Sequence, residues 1–249
     1  MTLEKHYIKS WPSIMSKKIQ LFCIPFAGGN AASFRELSSY LDEFIDVQMI
    51  EYPGHGMRRK EDFLEKMDEL ILDVRRQIEA NRTTDVPFAL LGYSMGVEIA
   101  FDLAQFSLKE KPSYVFFAAR EAIQFDTKGY NYALLDKKHF IDKIIEFGGV
   151  DERILKNSRF CELYMKPVYA DYKLLHQYKF KPEYGKLNSD LTVFFCEKDT
   201  PFARVEQWKE HSEGTTMFYE MGDNHFFIQQ NAKKMAEIIN TTLNRLIEE

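Results

Sequence analysis

The sequence predicts an α/β fold, a mainly parallel sheet with helices on both faces, and three observations lead there. Short apolar runs rich in β-branched and aromatic residues recur six times, and amphipathic helical patterns lie between most of them. A Gly-x-Ser-x-Gly pentapeptide stands where one of the runs passes into a helical pattern. Alternating strand and helix imply parallel pairing, because returning to the same edge of a sheet needs a crossover and the helix supplies it.

The first strand is predicted at IQLFCIP (19–25), the second at DVQMIE (46–51) and the third at FALLGY (88–93). SYVFFAA (113–119), DLTVFFC (190–196) and TTMFYEM (215–221) follow, and each run reads as a buried strand. The clearest helix spans 61–81, where Phe63, Met67, Leu70, Val74 and Ile78 recur three or four apart and share one face. Another begins near Met95 and carries Val97, Ile99, Ala100, Leu103 and Ala104. The last, at 229–247, repeats the spacing with Ala232, Met235, Ile239, Leu243 and Leu246.

Some seventy residues separate the fourth strand from the fifth, too many for a simple crossover. Within them Phe140, Ile141, Ile144 and Ile145 mark one amphipathic helix. Phe160, Leu163, Tyr164, Val168, Leu174, Leu175 and Tyr178 mark one or two more, with Pro167 expected to begin or kink a helix. An insertion there sits near the strand C-termini, where ligands bind in such sheets, so the segment is a candidate lid.

With 249 residues, 45% of them hydrophobic, the chain has enough apolar material for one sizeable core, and residues 1–249 are expected to form a single domain. The formal charge of −5 argues against non-specific nucleic-acid binding, although Arg58-Arg59-Lys60 could meet an acidic partner. Cys23, Cys161 and Cys196 are too scattered for a disulfide framework or a metal site and read as reduced core residues. MTLEKHYIKSW at the N-terminus lacks the apolar core of a secretory signal. No apolar run reaches the ~20 residues of a membrane span, so a cytoplasmic location is expected, with a monomer as the default state.

The pentapeptide Gly92-Tyr93-Ser94-Met95-Gly96 would arise by chance in roughly one chain of this length in ten. Its context is what makes it informative. A strand-to-helix join is where the nucleophile elbow of α/β-hydrolases stands: small neighbours let strand and helix approach, and the serine hydroxyl is lifted clear of the sheet. A serine needs a base, and the base needs an orienting acid, in the chain order Ser, acid, His. Of six histidines, His6, His139, His176 and His211 lie at the N-terminus or within helical patterns. His225 instead follows the last strand, in a loop with Gly222, Asp223 and Asn224, and is the candidate base. Asp199, in VFFCEKDTPF just after the fifth strand, is the candidate acid, since Asp223 lies too close to His225 along the chain. The transition-state oxyanion calls for backbone N–H donors. Met95 supplies one by construction of the elbow, and Ala27, in PFAGGNAASF after the first strand, is the candidate for the second.

With these motifs in place, the chain resembles the type II, or external, thioesterases of nonribosomal peptide and polyketide biosynthesis. PFAGGNAASF, EYPGHGMR, LLGYSMG, PVYADYKLL, CEKDTPF and GDNHFFI occur in that family's order and spacing. The resemblance implies an α/β-hydrolase fold, a Ser94-Asp199-His225 triad, an oxyanion hole at Ala27 and Met95, and a helical lid over about 121–186. It implies hydrolysis of acyl groups from the phosphopantetheine thioesters of acyl- or peptidyl-carrier proteins. No cofactor or metal is implied, the phosphopantetheine belonging to the substrate. Cys196 stands where the family often has glycine, Tyr169 where it often has arginine, and FAAREAI is an unusual approach to the lid. Fold and triad do not fix the substrate, so a carboxylesterase, an acyl-CoA thioesterase or a non-enzymatic carrier-binding module are the alternatives.

Overall fold

In the computed structural model, which describes residues 19–125, 135–147 and 158–248, the backbone of the core is an α/β sheet. The N-terminal stretch with His6, and the parts of the insertion at 126–134 and 148–157, lie outside the described residues. The strands are β1 (Ile19–Ile24), β2 (Ile45–Met49), β3 (Phe88–Tyr93), β4 (Tyr114–Ala118), β5 (Asp190–Phe195) and β6 (Thr216–Glu220). They pair in the order β2-β1-β3-β4-β5-β6. Every pair is parallel, so all six C-terminal ends open on one edge.

Successive side chains on a strand point to opposite faces, and this sheet buries both. Phe22, Ile24, Leu90, Val115, Phe117, Val193 and Phe195 pack on one face, beneath α2 (Met67–Asn81) and α3 (Met95–Asp102). Leu21, Cys23, Leu91, Tyr93, Phe116, Phe194 and Cys196 pack on the other, against the short α1 (Arg35–Ser38) and the C-terminal α7 (Ile228–Glu248). The central strands β1, β3 and β4 are buried at every position. That is why they read as unbroken apolar runs.

The edge strands differ from expectation. Strand β6 was predicted as buried, but Met217 and Glu220 are exposed and the other three residues are half-buried. A strand at the margin of a sheet is only partly covered by the helices above and below it. Helix α2 likewise starts at Met67, not near residue 61. Phe63 continues the helical spacing by coincidence: its ring stands edge-on to the ring of His55, with centroids 5.7 Å apart.

The long interval between β4 and β5 holds α4 (Lys137–Glu146) and α5 (Ser158–Leu175). Asp136 caps α4, its carboxylate accepting from the N–H groups of Lys138 and His139, and Phe140 and Ile144 turn inward. Pro167 does not begin a helix, because α5 starts at Ser158 and runs through it. Met165, Val168, Tyr172, Leu174 and Leu175 are all buried, and that apolar stripe holds the helix across a proline costing ~3 kcal/mol. After β5 come the one-turn α6 (Phe202–Val205) and a 3-10 segment carrying the buried Trp208. No described helix is long and apolar enough to cross a membrane.

The two faces of α2 offer a test of this layering. Ile78 is fully buried, whereas Leu72 is 41% exposed. Ile78→Ala should lower the unfolding free energy by about 2–5 kcal/mol, and Leu72→Ala by about 0.5 kcal/mol or less, in urea denaturation.

Candidate active site

Strand β3 hands over to α3 at Ser94, which has φ 50° and ψ −117°. A positive φ is rare for a residue with a Cβ, and holding it stores about 1–3 kcal/mol that the surroundings must offset. The flanking glycines are required by contact. A Cβ at Gly92 would lie 2.5 Å from the Gly96 carbonyl oxygen, and one at Gly96 would lie 2.2 Å from that of Ile24 at the end of β1. The Ser94 N–H donates to the Ala118 carbonyl of β4 at 2.8 Å, and its own carbonyl accepts from Val97 N–H at 2.8 Å. The serine is thus locked between two strands and the first turn of a helix.

The other two candidates converge on it. His225, in the loop between β6 and α7, approaches Ser94 Oγ with Nε2 at 3.0 Å. Its Nδ1 lies 2.8 Å from Asp199 Oδ2, and the Thr200 hydroxyl donates to that same oxygen at 3.1 Å. Since an ionised carboxylate only accepts, Nδ1 carries the proton and Nε2 is left free to accept from the serine hydroxyl. The Tyr93 hydroxyl donates to the His225 carbonyl at 2.7 Å, tying the histidine loop to the residue before the nucleophile. The imidazole also lies against the rings of Phe226 and Phe147, at centroid distances of 5.1 and 5.3 Å. Phe147 belongs to the segment between β4 and β5.

The loop after β1 is braced on several sides. Tyr52 OH donates to the Pro25 carbonyl at 2.7 Å, the Glu51 carboxylate accepts from Ala31 N–H at 3.1 Å, and Asn30 caps the following 3-10 turn. Ala27 is partly buried and packs on the apolar core. Met95 opens α3, where the first N–H groups of a helix have no partner within it. Gly28, at φ +76°, donates to Asp171 Oδ2 at 2.6 Å.

A profile of the thioesterase domain family matches residues 19–243. The chain belongs to the thioesterase domain family. Among its relatives is the gramicidin S biosynthesis protein GrsT of Aneurinibacillus migulanus, 28% identical over 89% of this chain and 88% of that protein. Thioesterase PikA5 of Streptomyces venezuelae is 25% identical, covering 95% of this chain and 85% of PikA5. The crystal structure of ClbQ from the colibactin NRPS/PKS pathway has the same fold, with a TM-score of 0.85 at 23% identity over 92% of this chain and 98% of ClbQ.

The thioesterase also holds a buried pair that the sequence reading left unassigned. His55, in the EYPGHGMR stretch, places Nε2 3.0 Å from the same Asp171 oxygen that Gly28 uses, and Nδ1 2.9 Å from the Pro53 carbonyl. Both partners only accept hydrogen bonds, so the doubly protonated imidazolium satisfies both nitrogens. Burial pushes the His55 pKa down, but the hydrogen bond and charge of Asp171, the Pro53 carbonyl and the charge of Glu51 outweigh it and leave it raised above 6.5. A second buried pair joins Glu98, one turn beyond Ser94, to Arg120 after β4. Burial raises the Glu98 pKa, against the pull of Arg120. The sequence carried a signal for the second pair alone, a glutamate within the apolar run that forms α3, a helix buried on every side.

Other candidates take bland roles. Asp223 is exposed and pairs with Lys198 Nζ at 2.7 Å. Arg58 is held by Glu61 and Asp73, which raise its pKa, so only Arg59 and Lys60 of the basic cluster face solvent. Cys23 and Cys196 are free, buried core thiols. Cys196 lies 3.5 Å from the Gly222 carbonyl.

Gly96→Ala should collapse both stability and activity, since its Cβ would overlap the end of β1. Overpacking of this kind costs about 1–3 kcal/mol, measurable as a lowered urea midpoint. His55 titrates in the opposite sense to a buried carboxylate. Because its folded pKa is raised above the unfolded value, its contribution to stability is complete below pH 6.5 and is lost as pH rises through the folded pKa. His55→Gln should therefore flatten the decline in unfolding free energy above pH 6.5 that the unsubstituted protein shows in urea titrations at successive pH values.

Proposed function

We propose that this thioesterase hydrolyses acyl groups from the phosphopantetheine thioesters of carrier proteins, serving a nonribosomal peptide or polyketide synthase. The observation that carries the reading is the unbroken chain Ser94 Oγ–His225 Nε2 at 3.0 Å and His225 Nδ1–Asp199 Oδ2 at 2.8 Å. The printed descriptions of GrsT, as a gramicidin S biosynthesis protein, and of ClbQ, from an NRPS/PKS pathway, support the pathway class.

In the proposed reaction Ser94 Oγ attacks the thioester carbonyl while His225 Nε2 takes its proton, and Asp199 stabilises the resulting imidazolium. The N–H groups of Ala27 and Met95 receive the oxyanion, with the positive end of the α3 dipole behind Met95. The pantetheine thiol leaves with the proton from His225. Water then gives a proton to the same nitrogen as it attacks the acyl-serine, and that proton passes on to Ser94 Oγ as the acyl–oxygen bond breaks, freeing the carboxylic acid and the serine. A thiol has a pKa near 8.5, so its departure leans less on protonation than that of an amine. The thioester carbonyl needs no metal or organic cofactor for this sequence of steps.

The segment at about 121–186 is assigned the part of a lid. Two contacts support this: Phe147 lies on the His225 ring, and Asp171 of α5 holds Gly28 in the loop after β1.

Purified protein should release short acyl groups from acyl-carrier protein faster than from acyl-CoA with the same acyl group, and much faster than from simple esters. A preference for esters would overturn the carrier assignment. Ser94→Ala should lower the rate by about 10³-fold or more, and Asp199→Asn by about 10⁴-fold, with far-ultraviolet circular dichroism unchanged.

A further inference from the structure

Helix α5 meets the loop after β1 at Gly28 through two contacts. The Gly28 N–H donates to Asp171 Oδ2 at 2.6 Å, and the Val168 side chain packs so close that a Cβ at Gly28 would lie 2.3 Å from its Cγ2. Asp171 is 2% exposed and His55, its partner at 3.0 Å, is 3% exposed. A carboxylate so deeply buried is tolerated only when its charge is compensated, and breaking such a pair is strongly destabilising.

We infer that Asp171 is a positioning residue for thioester hydrolysis: through Gly28 N–H it fixes the peptide following Ala27, and His55 cancels the negative charge this anchor would otherwise bring to the oxyanion site. The inference rests on the assignment of Ala27 to the oxyanion site made above. The hydrogen bond is short and charge-assisted, the strong kind. Gly28 follows Ala27 directly, so fixing one peptide plane limits the torsions that aim the other. A carboxylate this near a developing oxyanion would oppose it if left uncompensated. The buried imidazolium therefore does electrostatic as well as structural service. Because Asp171 and Val168 are both on α5, the loop is aimed correctly only when the inserted segment is seated.

The test compares Asp171→Ala, Asp171→Asn, His55→Gln and the double variant His55→Gln/Asp171→Asn, each turning over an acyl-pantetheine thioester. Asp171→Ala removes the anchor and should lower kcat about 10- to 100-fold with KM changed less than about threefold. Asp171→Asn keeps an acceptor for Gly28 N–H and should retain kcat to within about fivefold. His55→Gln leaves the carboxylate uncompensated and should lower kcat about tenfold, and the double variant, which removes both charges, should recover most of that loss. The same variants are then titrated with two acyl-pantetheine analogues, a trifluoromethyl ketone that forms an oxyanion on Ser94 and an inert thioether. Affinity for the ketone should fall about tenfold in Asp171→Ala while that for the thioether holds. Unchanged kcat in Asp171→Ala, or failure of the double variant to recover relative to His55→Gln, would overturn the inference. If Asp171→Ala does not fold, Asp171→Asn and the His55 pair decide it alone. Absence of turnover in the unsubstituted protein would instead defeat the thioesterase assignment on which the inference stands.

Discussion

The close approach of Gly96 to the carbonyl of Ile24 is the contact on which the rest of the molecule depends. It brings the first turn of α3 against the end of β1, with a Cβ-to-oxygen separation of 2.2 Å if a side chain were present. At this junction Ser94 adopts φ 50°, and Met95, opening α3, comes to the same edge as the loop that carries Ala27. Parallel pairing then places the residues after β5 and β6 on that edge too. Asp199 and His225 arrive by the same geometry that delivers Ser94.

Around this edge the backbone is held by side chains from distant parts of the chain. Tyr52 grips Pro25, Glu51 grips Ala31, Asp171 grips Gly28 and Tyr93 grips the carbonyl of His225. Each bond is modest, about 0.5–1.5 kcal/mol net for neutral partners and more for the two that end on the carboxylates of Glu51 and Asp171. Their joint effect is rigidity in the loops beside Ser94, which left to themselves would sample many conformations. Two ion pairs, His55–Asp171 and Arg120–Glu98, are buried near this edge. Buried pairs of this sort add little to stability over apolar substitutes, so their value lies in fixing geometry and local charge.

Much of this was legible in the residues. The central strands announce themselves because a strand covered on both faces cannot alternate, as in FALLGY and YVFFA. The meeting of Ser94, His225 and Asp199 was legible because each follows a strand, and parallel strands put such loops together whatever their distance in sequence. Periodicity failed where local pattern and tertiary packing diverge. Phe63 carries the right spacing for α2 but turns to His55. The partial exposure of β6 depends on its being an edge strand, which the run TTMFYEM does not disclose.

By itself the sequence determined the layered α/β plan, the elbow at Ser94 and the identity of its two partners, because these rest on hydrophobic patterning and on the order of loops along parallel strands. Only the tertiary structure decided that His55 meets Asp171 across 116 positions and that Asp171 in turn reaches Gly28. A histidine in a Pro-Gly turn and an aspartate in an amphipathic helix each have ordinary readings alone. Burial turns them into one charged unit, and burial follows from how α5 lies on the sheet, a matter of packing that no local pattern encodes.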